Sequence, residues 1–140
     1  MIVVGAAAPL AGTGGGAMMS GGSVTTTGAQ NYGEAMVLGA NTTLASTGSG
    51  DISFGNTLNG AYGLTINTAG VTRFNGAVGA GAALSSLTTD APGSVVMNAG
   101  SVITTGAQTY NDAVLLGNIG HVTTLNTSNA AVLFGNSVNN

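Results

Sequence analysis

Residues 19–39, MSGGSVTTTGAQNYGEAMVLG, return at residues 97–117 as MNAGSVITTGAQTYNDAVLLG. At this offset of 78 residues, 13 of the 21 aligned positions are identical. Self-similarity at a fixed spacing is typical of repeat proteins, in which each unit buries its apolar side chains by stacking on its neighbours. The sequence therefore predicts a repeat array instead of a globular fold with a unique core.

A shorter motif subdivides the long repeat. An aromatic residue or Met is followed by small or acidic residues and then by an aliphatic residue. The motif begins at Met19, Tyr32, Phe54, Phe74, Met97, Tyr110 and Phe134. Four motifs in 78 residues average about 20 residues each, which suits one turn of a β-solenoid. The long repeat is therefore predicted to make four turns. Six or seven motif starts predict a rod about 30 Å long at about 4.8 Å per turn.

The repeats extend over the whole chain, which is predicted to be one continuous array. The predicted divisions are a single array over 1–140, super-repeat copies at 19–96 and 97–140, and a partial turn at 1–18. Residues 4–10 match residues 78–84, so the chain is expected to begin within a turn. Uncapped repeats expose apolar core and strand edges. We therefore expect either a piece of a longer array, which we favour, or a subunit that stacks end to end.

Composition excludes several classes of protein. Only 4% of the residues are charged, against about a quarter in an ordinary domain. Disordered chains combine high charge with low hydrophobicity, whereas 44% of this chain is hydrophobic. Gly, Asn, Ser and Thr lie between the apolar positions and are poor residues for a helix interior. The sequence thus predicts an all-β chain.

Charge and residue type also restrict partners and targeting. The formal net charge of −3 argues against nucleic acid, because phosphate binding requires clustered Lys or Arg. The chain has no Cys, so it has no disulfide framework. Gly and Pro interrupt the uncharged segment 1–33, so no membrane span is expected there. The first residues also lack the basic start of a secretory signal.

Local alternation of apolar and polar residues predicts the strands. The segments with this alternation are 51–54, 63–67, 122–125 and 131–134. Successive side chains of a strand point to opposite faces, so residues two apart share a face. The core-facing residues are predicted to be Ile52, Phe54, Leu64 and Ile66, and the outward residues Asp51, Ser53 and Thr65.

Gly and Asn separate these strands and predict the corners of a coil. They occur at 55–56, 59–60, 75–76, 98–100 and 135–136. Both residue types adopt turn conformations at low cost, and the repeat spacing favours corners over hairpin reversals. We expect the Phe, Tyr and Met positions to form one interior stack along the axis. Equivalent corner Asn residues are expected to form a ladder of side-chain hydrogen bonds.

The string TTGAQxY[N/G][E/D]AxxLG, at residues 26–39 and 104–117, resembles the repeats of very large bacterial surface proteins. These proteins are the filamentous-haemagglutinin-like and autotransporter adhesins. Residues 50–58 and 64–78 extend the resemblance, which covers nearly the whole chain. It implies a right-handed parallel β-helix that is exported from a Gram-negative cell and displayed or released outside it. No secretion domain or membrane-anchoring barrel accompanies the repeats in this sequence.

Few residues could carry chemistry. The charged residues are Glu34, Asp51, Arg73, Asp90 and Asp112. Glu34 and Asp112 are equivalent by repeat, which indicates a preference for an acid at a corner. Four turns would place them roughly 19 Å apart along the axis, whereas two carboxylates that hydrolyse a glycosidic bond lie within about 10 Å of each other. We therefore predict no catalytic residue and no enzyme activity.

No metal or cofactor site is predicted. Arg73 is the only fixed cation and is expected to point outward between inward Thr72 and Phe74. His121 has no second ligand near it in sequence and is interpreted as a loop residue. Residues 48–51 resemble half of a calcium-binding nonapeptide, but that site requires consecutive copies. Residues 12–16 lack the Lys and the helix of a phosphate loop.

Threonine pairs raise one further function. Ice-binding solenoids carry rows of Thr at two-residue spacing, but only Thr25 and Thr27 have this spacing, and Ile103 replaces Thr25 in the second copy. Thr is also a good strand former with a polar face, and this second interpretation is favoured.

The sequence leaves four functions open. The expected function is a structural stalk or adhesin passenger at the cell surface. The first alternative is a self-assembling extracellular filament, and the remote alternatives are an ice-binding solenoid and a carbohydrate-active enzyme. The expected partners are neighbouring repeats, identical subunits end to end, and host or surface glycans or proteins.

Overall fold

The computed structural model describes residues 7–9, 16–117 and 122–140, and these residues form strands, turns and no helix. This part of the chain consequently contains no helix long and apolar enough to cross a lipid bilayer. The predicted loop residue His121 lies outside the described residues. Only the backbone is described for residues 7–9.

Eighteen short strands make up the described chain. They are β1 (Ala7–Pro9), β2 (Ala17–Met19), β3 (Ser23–Thr26), β4 (Gln30–Tyr32), β5 (Met36–Leu38), β6 (Thr42–Ser46), β7 (Ile52–Phe54), β8 (Leu58–Asn59), β9 (Gly63–Thr68), β10 (Val71–Phe74), β11 (Ser86–Thr89), β12 (Ser94–Met97), β13 (Ser101–Thr104), β14 (Gln108–Tyr110), β15 (Ala113–Leu116), β16 (Thr124–Thr127), β17 (Val132–Phe134) and β18 (Val138–Asn139).

From β2 onward, the strands wind around three parallel sheets, which we call sheets A, B and C. Sheet B contains β3, β6, β9, β11, β14 and β17, and sheet C contains β4, β7, β10, β12, β15 and β18. Sheet A contains β2, β5 and β8 and continues through bridges at Val78 to β13 and β16. The predicted parallel β-solenoid is confirmed. It has about five turns, so the axis is about 24 Å long at about 4.8 Å per turn.

The turn length differs from the sequence prediction. Stacked residues lie about 22 positions apart instead of 20. The individual spacing varies from 19 residues, as between Met18 and Val37, to 24, as between Gln108 and Val132. The variation falls in the corners, because the strands themselves stay in register.

The 78-residue repeat therefore makes three and two-thirds turns, not the predicted four. The segment of β3 in sheet B recurs as β13 in sheet A, and β4 in sheet C recurs as β14 in sheet B. The second copy is thus displaced by one side of the solenoid relative to the first. The same sequence segment therefore lies on one side of the solenoid in the first copy and on another side in the second.

The inward and outward positions agree with the predicted alternation in β7 and β9. The side chains of Ile52, Phe54, Leu64 and Ile66 are at most 1% exposed, and they belong to a single apolar core from Met19 to Val114. The predicted strand at 122–125 begins two residues too early. Val122 lies before β16 and is 82% exposed, while Leu125 is partly buried against the core.

The aromatic residues form two interior stacks instead of the predicted one. In sheet C, the ring of Phe54 stacks between Tyr32 and Phe74 at centroid distances of 5.2 and 5.4 Å. In sheet B, Tyr110 stacks on Phe134 at 5.4 Å. The displacement of the second super-repeat by one side explains the change, because it moves the aromatic position from sheet C to sheet B.

The predicted Gly and Asn segments lie at corners between strands of different sheets. Close stacking explains Gly76, where an added Cβ would lie 2.3 Å from the carbonyl carbon of Asn56. One step of the predicted Asn ladder is present, because Asn98 Nδ2 donates to Asn75 Oδ1 at 2.7 Å. Asn56 instead accepts the backbone N–H of Thr57 and so stabilises its own turn.

The first described strand departs from the predicted partial turn. β1 pairs with β2 in antiparallel orientation, with Ala7 opposite Met19 and Pro9 opposite Ala17. It therefore covers the edge of β2 in sheet A. The remaining residues of the matched segment 4–10 lie outside the described residues.

The TTGAQxY string forms a buried hydrogen-bonded corner. In the second copy, Gln108 Nε2 donates to the carbonyls of Val102 and Asn126, and Tyr110 Oη donates to Gln108 Oε1 at 2.8 Å. Thr104 Oγ1 donates to the Gly106 carbonyl at 2.6 Å. One amide side chain thus joins both sides of a corner to the next turn.

The first copy repeats these contacts at another corner. Gln30 Nε2 donates to the carbonyls of Val24 and Ala45, and Tyr32 Oη donates to Gln30 Oε1 at 2.7 Å. Burial raises the pKa of Tyr32 to about 12 and also raises the pKa of Tyr110. Both phenols therefore remain protonated donors at neutral pH. The motif that carries the resemblance is thus a structural element of the corners.

Candidate functional site

The two acids that are equivalent by repeat have different surroundings. Glu34 lies at the corner between β4 and β5 and is exposed, whereas Asp112 lies at the corner between β14 and β15 and is 1% exposed. The first corner joins sheets C and A, and the second joins sheets B and C. The structure therefore does not bring these two carboxylates together.

Arg73 points outward from β10, as predicted, between buried Thr72 and Phe74. Its Nη1 lies 3.0 Å from Asp51 Oδ2, and both side chains are well exposed. Asp51 Oδ1 accepts the backbone N–H of Val71 at 2.9 Å. Both oxygens of Asp51 are thus engaged within the protein, in the segment that resembles half of a calcium-binding repeat.

Loss of the Arg73 side-chain charge should have little effect on stability. Exposed ion pairs contribute about 0–1 kcal/mol, so we expect Arg73→Gln to lower the free energy of unfolding by less than about 1 kcal/mol. Asp51→Ala should cost more, because the Val71 amide also loses its acceptor. Urea unfolding of the two variants checks this order. An Arg73→Gln cost equal to that of Asp51→Ala would contradict it.

Asp112 is the most perturbed acid among the described residues. Burial raises its pKa to about 6, the nearby Thr89 hydroxyl lowers it, and the charge of Asp90 raises it. Asp112 Oδ1 and Thr89 Oγ1 are both buried, and neither makes a hydrogen bond of standard geometry. The carboxyl group is therefore held inside the wall of the solenoid, where a substrate cannot reach it.

The oxygens around Asp112 do not form an ion site. A Cβ built on Gly93 would lie 2.7 Å from Thr68 O, 2.8 Å from Gly70 O and 2.9 Å from Asp112 Oδ1. That point is about one bond length, roughly 1.5 Å, from the Gly93 Cα, so the glycine itself fills the space between the oxygens. The described residues also contain no group of three or more His, Cys, Asp or Glu side chains placed to hold a metal.

The outer face of sheet B carries a continuous row of hydroxyl groups, which we call the hydroxyl column. Pairing between turns places in one line the residues Ser23, Thr43, Thr65, Thr88 and Thr109. The neighbouring strands of a sheet are about 4.8 Å apart, so the hydroxyls repeat at this spacing. None of the five hydroxyls bonds to another described residue, so their hydrogen-bonding capacity faces outward.

A groove of about 290 Å³ lies on this face. Its lining residues are Asn41, Thr42, Thr43, Gly63, Thr65, Ser85 and Ser86. Gly63 pairs with Ser86 in the next turn, so the absence of a side chain at Gly63 opens the groove. No charged residue lines it. The groove can therefore offer hydrogen bonds to an uncharged, polar ligand.

Sequence reasoning missed both the hydroxyl column and the groove. Only Thr residues two positions apart were considered in the sequence. One of them, Thr25, stacks on Ala45 and not on another hydroxyl residue. The column instead joins residues 20 to 23 positions apart, as in the steps from Ser23 to Thr43 and from Thr65 to Thr88. An alignment of the sequence with itself at the turn spacing would have shown the column.

Comparison with known proteins adds no assignment. No protein-family model, no curated protein and no solved structure matches this chain.

Proposed function

We propose that the chain is a rigid, non-catalytic part of an exported bacterial surface protein, where it serves as a stalk or adhesin passenger. The observation that carries this proposal is the uninterrupted stacking of six strands in each of sheets B and C. A repeat array with one continuous core resists bending because each turn is hydrogen-bonded to the next along its length. Such a segment can hold a binding surface away from the cell.

The outer surface supports a role in contact with other molecules. Apart from the Arg73–Asp51 pair, its polar groups are mostly uncharged hydroxyls and amides. A surface of this kind exerts little long-range attraction or repulsion, so it favours short-range hydrogen bonds with surface glycans or proteins. The resemblance to adhesin repeats points to the same role and to a location outside a Gram-negative cell.

A filament subunit is the second candidate. The last described turn exposes apolar side chains at Leu133, Phe134 and Val138, and the ring of Phe134 stacks on Tyr110. Another copy of the chain could cover this surface and continue the parallel sheets. The antiparallel strand β1, which covers β2 in sheet A, favours the stalk over the filament.

Labelling and sedimentation test the proposal. An antibody raised against the purified chain is expected to label intact cells of the source organism, and labelling that requires permeabilised cells would contradict surface display. In analytical ultracentrifugation, the stalk should sediment as one species at all concentrations. Growth of the sedimenting mass with concentration would favour the filament instead. An exposed-end variant, Phe134→Ser, should abolish such growth if end-to-end stacking causes it.

A further inference from the structure

We propose that the groove around Gly63 binds a single neutral sugar ring, as part of a glycan that lies along sheet B. This inference rests on the proposed adhesin function and gives that function a binding site. A volume of about 290 Å³ is at the lower end of ligand pockets, about 300–1,000 Å³. It suits one ring better than a larger ligand.

Polar side chains converge on the floor of the groove. A Cβ at Gly63 would lie 2.8 Å from Ser86 Oγ, 3.5 Å from Asn41 Oδ1 and 3.6 Å from Ser85 Oγ. Asn41 Oδ1 accepts the Gly63 N–H at 2.8 Å, and its Nδ2 group makes no bond to another described residue. The hydroxyls of Ser85 and Ser86 also make no hydrogen bond to another described residue. The groove therefore offers several donors and acceptors to the hydroxyls of a ligand.

The uncharged lining of the groove defines the ligand further. An acidic or basic ligand would find no counter-ion in the lining, so the ligand should be neutral. The lining consists of hydroxyl, amide and backbone groups. These groups match the many hydroxyls of a sugar ring, each of which can donate and accept a hydrogen bond.

The shape of the groove favours a sugar over ice. An ice surface requires a flat, regular array, whereas the missing side chain at Gly63 makes a depression beside the column. The hydroxyls of Thr88 and Thr109 continue the column beyond the groove. They can contact further units of a linear glycan in succession.

The test uses the labelled chain on an array of immobilised neutral, sialylated and sulfated oligosaccharides. We expect retention on neutral oligosaccharides only. Thr65→Val and Ser86→Ala each remove one hydroxyl from the groove, and each should weaken half-maximal retention roughly fivefold to tenfold. Gly63→Val should abolish retention by filling the groove. Melting temperatures of the variants show whether each one is folded.

Thr109→Val is the matched control, because it makes the same change in the same column two turns from Thr65. It should reduce retention less than Thr65→Val does.

The proposal is overturned if no oligosaccharide is retained, if acidic oligosaccharides are preferred, or if Thr65→Val and Thr109→Val behave alike. Thermal hysteresis without sugar binding would also overturn it in favour of ice. If Gly63→Val fails to fold, the two Thr variants decide the outcome. Surface labelling with no sugar binding would reject this site and leave the stalk proposal intact.

Discussion

Raising the pH from about 3 to about 7 is expected to lower the free energy of unfolding by about 3 kcal/mol through the Asp112 carboxyl group. The pKa of this group is raised from 3.8 to about 6 in the folded chain. Between these values the unfolded chain loses the proton while the folded chain keeps it. The folded state then binds more protons than the unfolded state, so stability falls as pH rises.

The effect has defined limits on the pH scale. Below a pH of about 3 the carboxyl group is protonated in both states and contributes no difference. Above about pH 7 it is ionised in both states, and the cost of the buried charge is constant. The destabilisation should therefore develop within this window and level off above it.

Asp112→Asn isolates this contribution, because Asn is neutral at every pH. The variant should be more stable than the wild type above pH 6, and the advantage should shrink as pH falls towards 4. Urea unfolding at a series of pH values measures the difference. Glu34→Gln is the matched control, since it changes the equivalent residue of the first copy at an exposed position. Parallel pH profiles for the wild type and Asp112→Asn would contradict the assignment.

Replacement of Gln108 by Leu should lower the free energy of unfolding by about 3 kcal/mol. Gln108 is fully buried, and its side chain bonds to the Val102 and Asn126 carbonyls and to the Tyr110 hydroxyl. Each buried polar group that is left without a partner costs about 1–3 kcal/mol. Leu fills most of the same volume, so the expected loss comes from the hydrogen bonds and not from a cavity.

Two further variants test this cause. Tyr110→Phe removes the hydroxyl that the first substitution leaves unpaired, so Gln108→Leu with Tyr110→Phe should be more stable than Gln108→Leu alone. Gln30→Leu makes the same change in the first copy, where Tyr32 is only partly buried and its hydroxyl is closer to water. It should cost less than Gln108→Leu. Chemical denaturation of the three variants checks this order, and equal costs at both copies would contradict it.

The local structure of this chain could be predicted from its sequence. Ile52 and Phe54 were expected inside and Asp51 outside, and the structure places them so. The corners at 75–76 and 98–100 were expected from Gly and Asn. These features depend on the two-residue period of a strand and on the backbone preferences of single residues. Both are properties of short segments, so a short stretch of sequence reveals them.

The contacts between turns were not predictable in the same way. The 78-residue repeat was expected to return to the same side of the solenoid, but it ends one side short. The length of each corner determines on which side of the solenoid the next strand lies. Corner lengths differ by several residues while the paired strands stay in register. The aromatic residues therefore divide between two sheets.

The sequence by itself determined an all-β repeat array, its inward positions and its corners. Only the tertiary structure decided which residues of different turns lie side by side. It aligned Thr43, Thr65 and Thr88 into one column, and it buried Asp112 while leaving its equivalent Glu34 in solvent. The physical reason is that burial and side-chain neighbours across turns depend on stacking register, and register results from packing of the whole array.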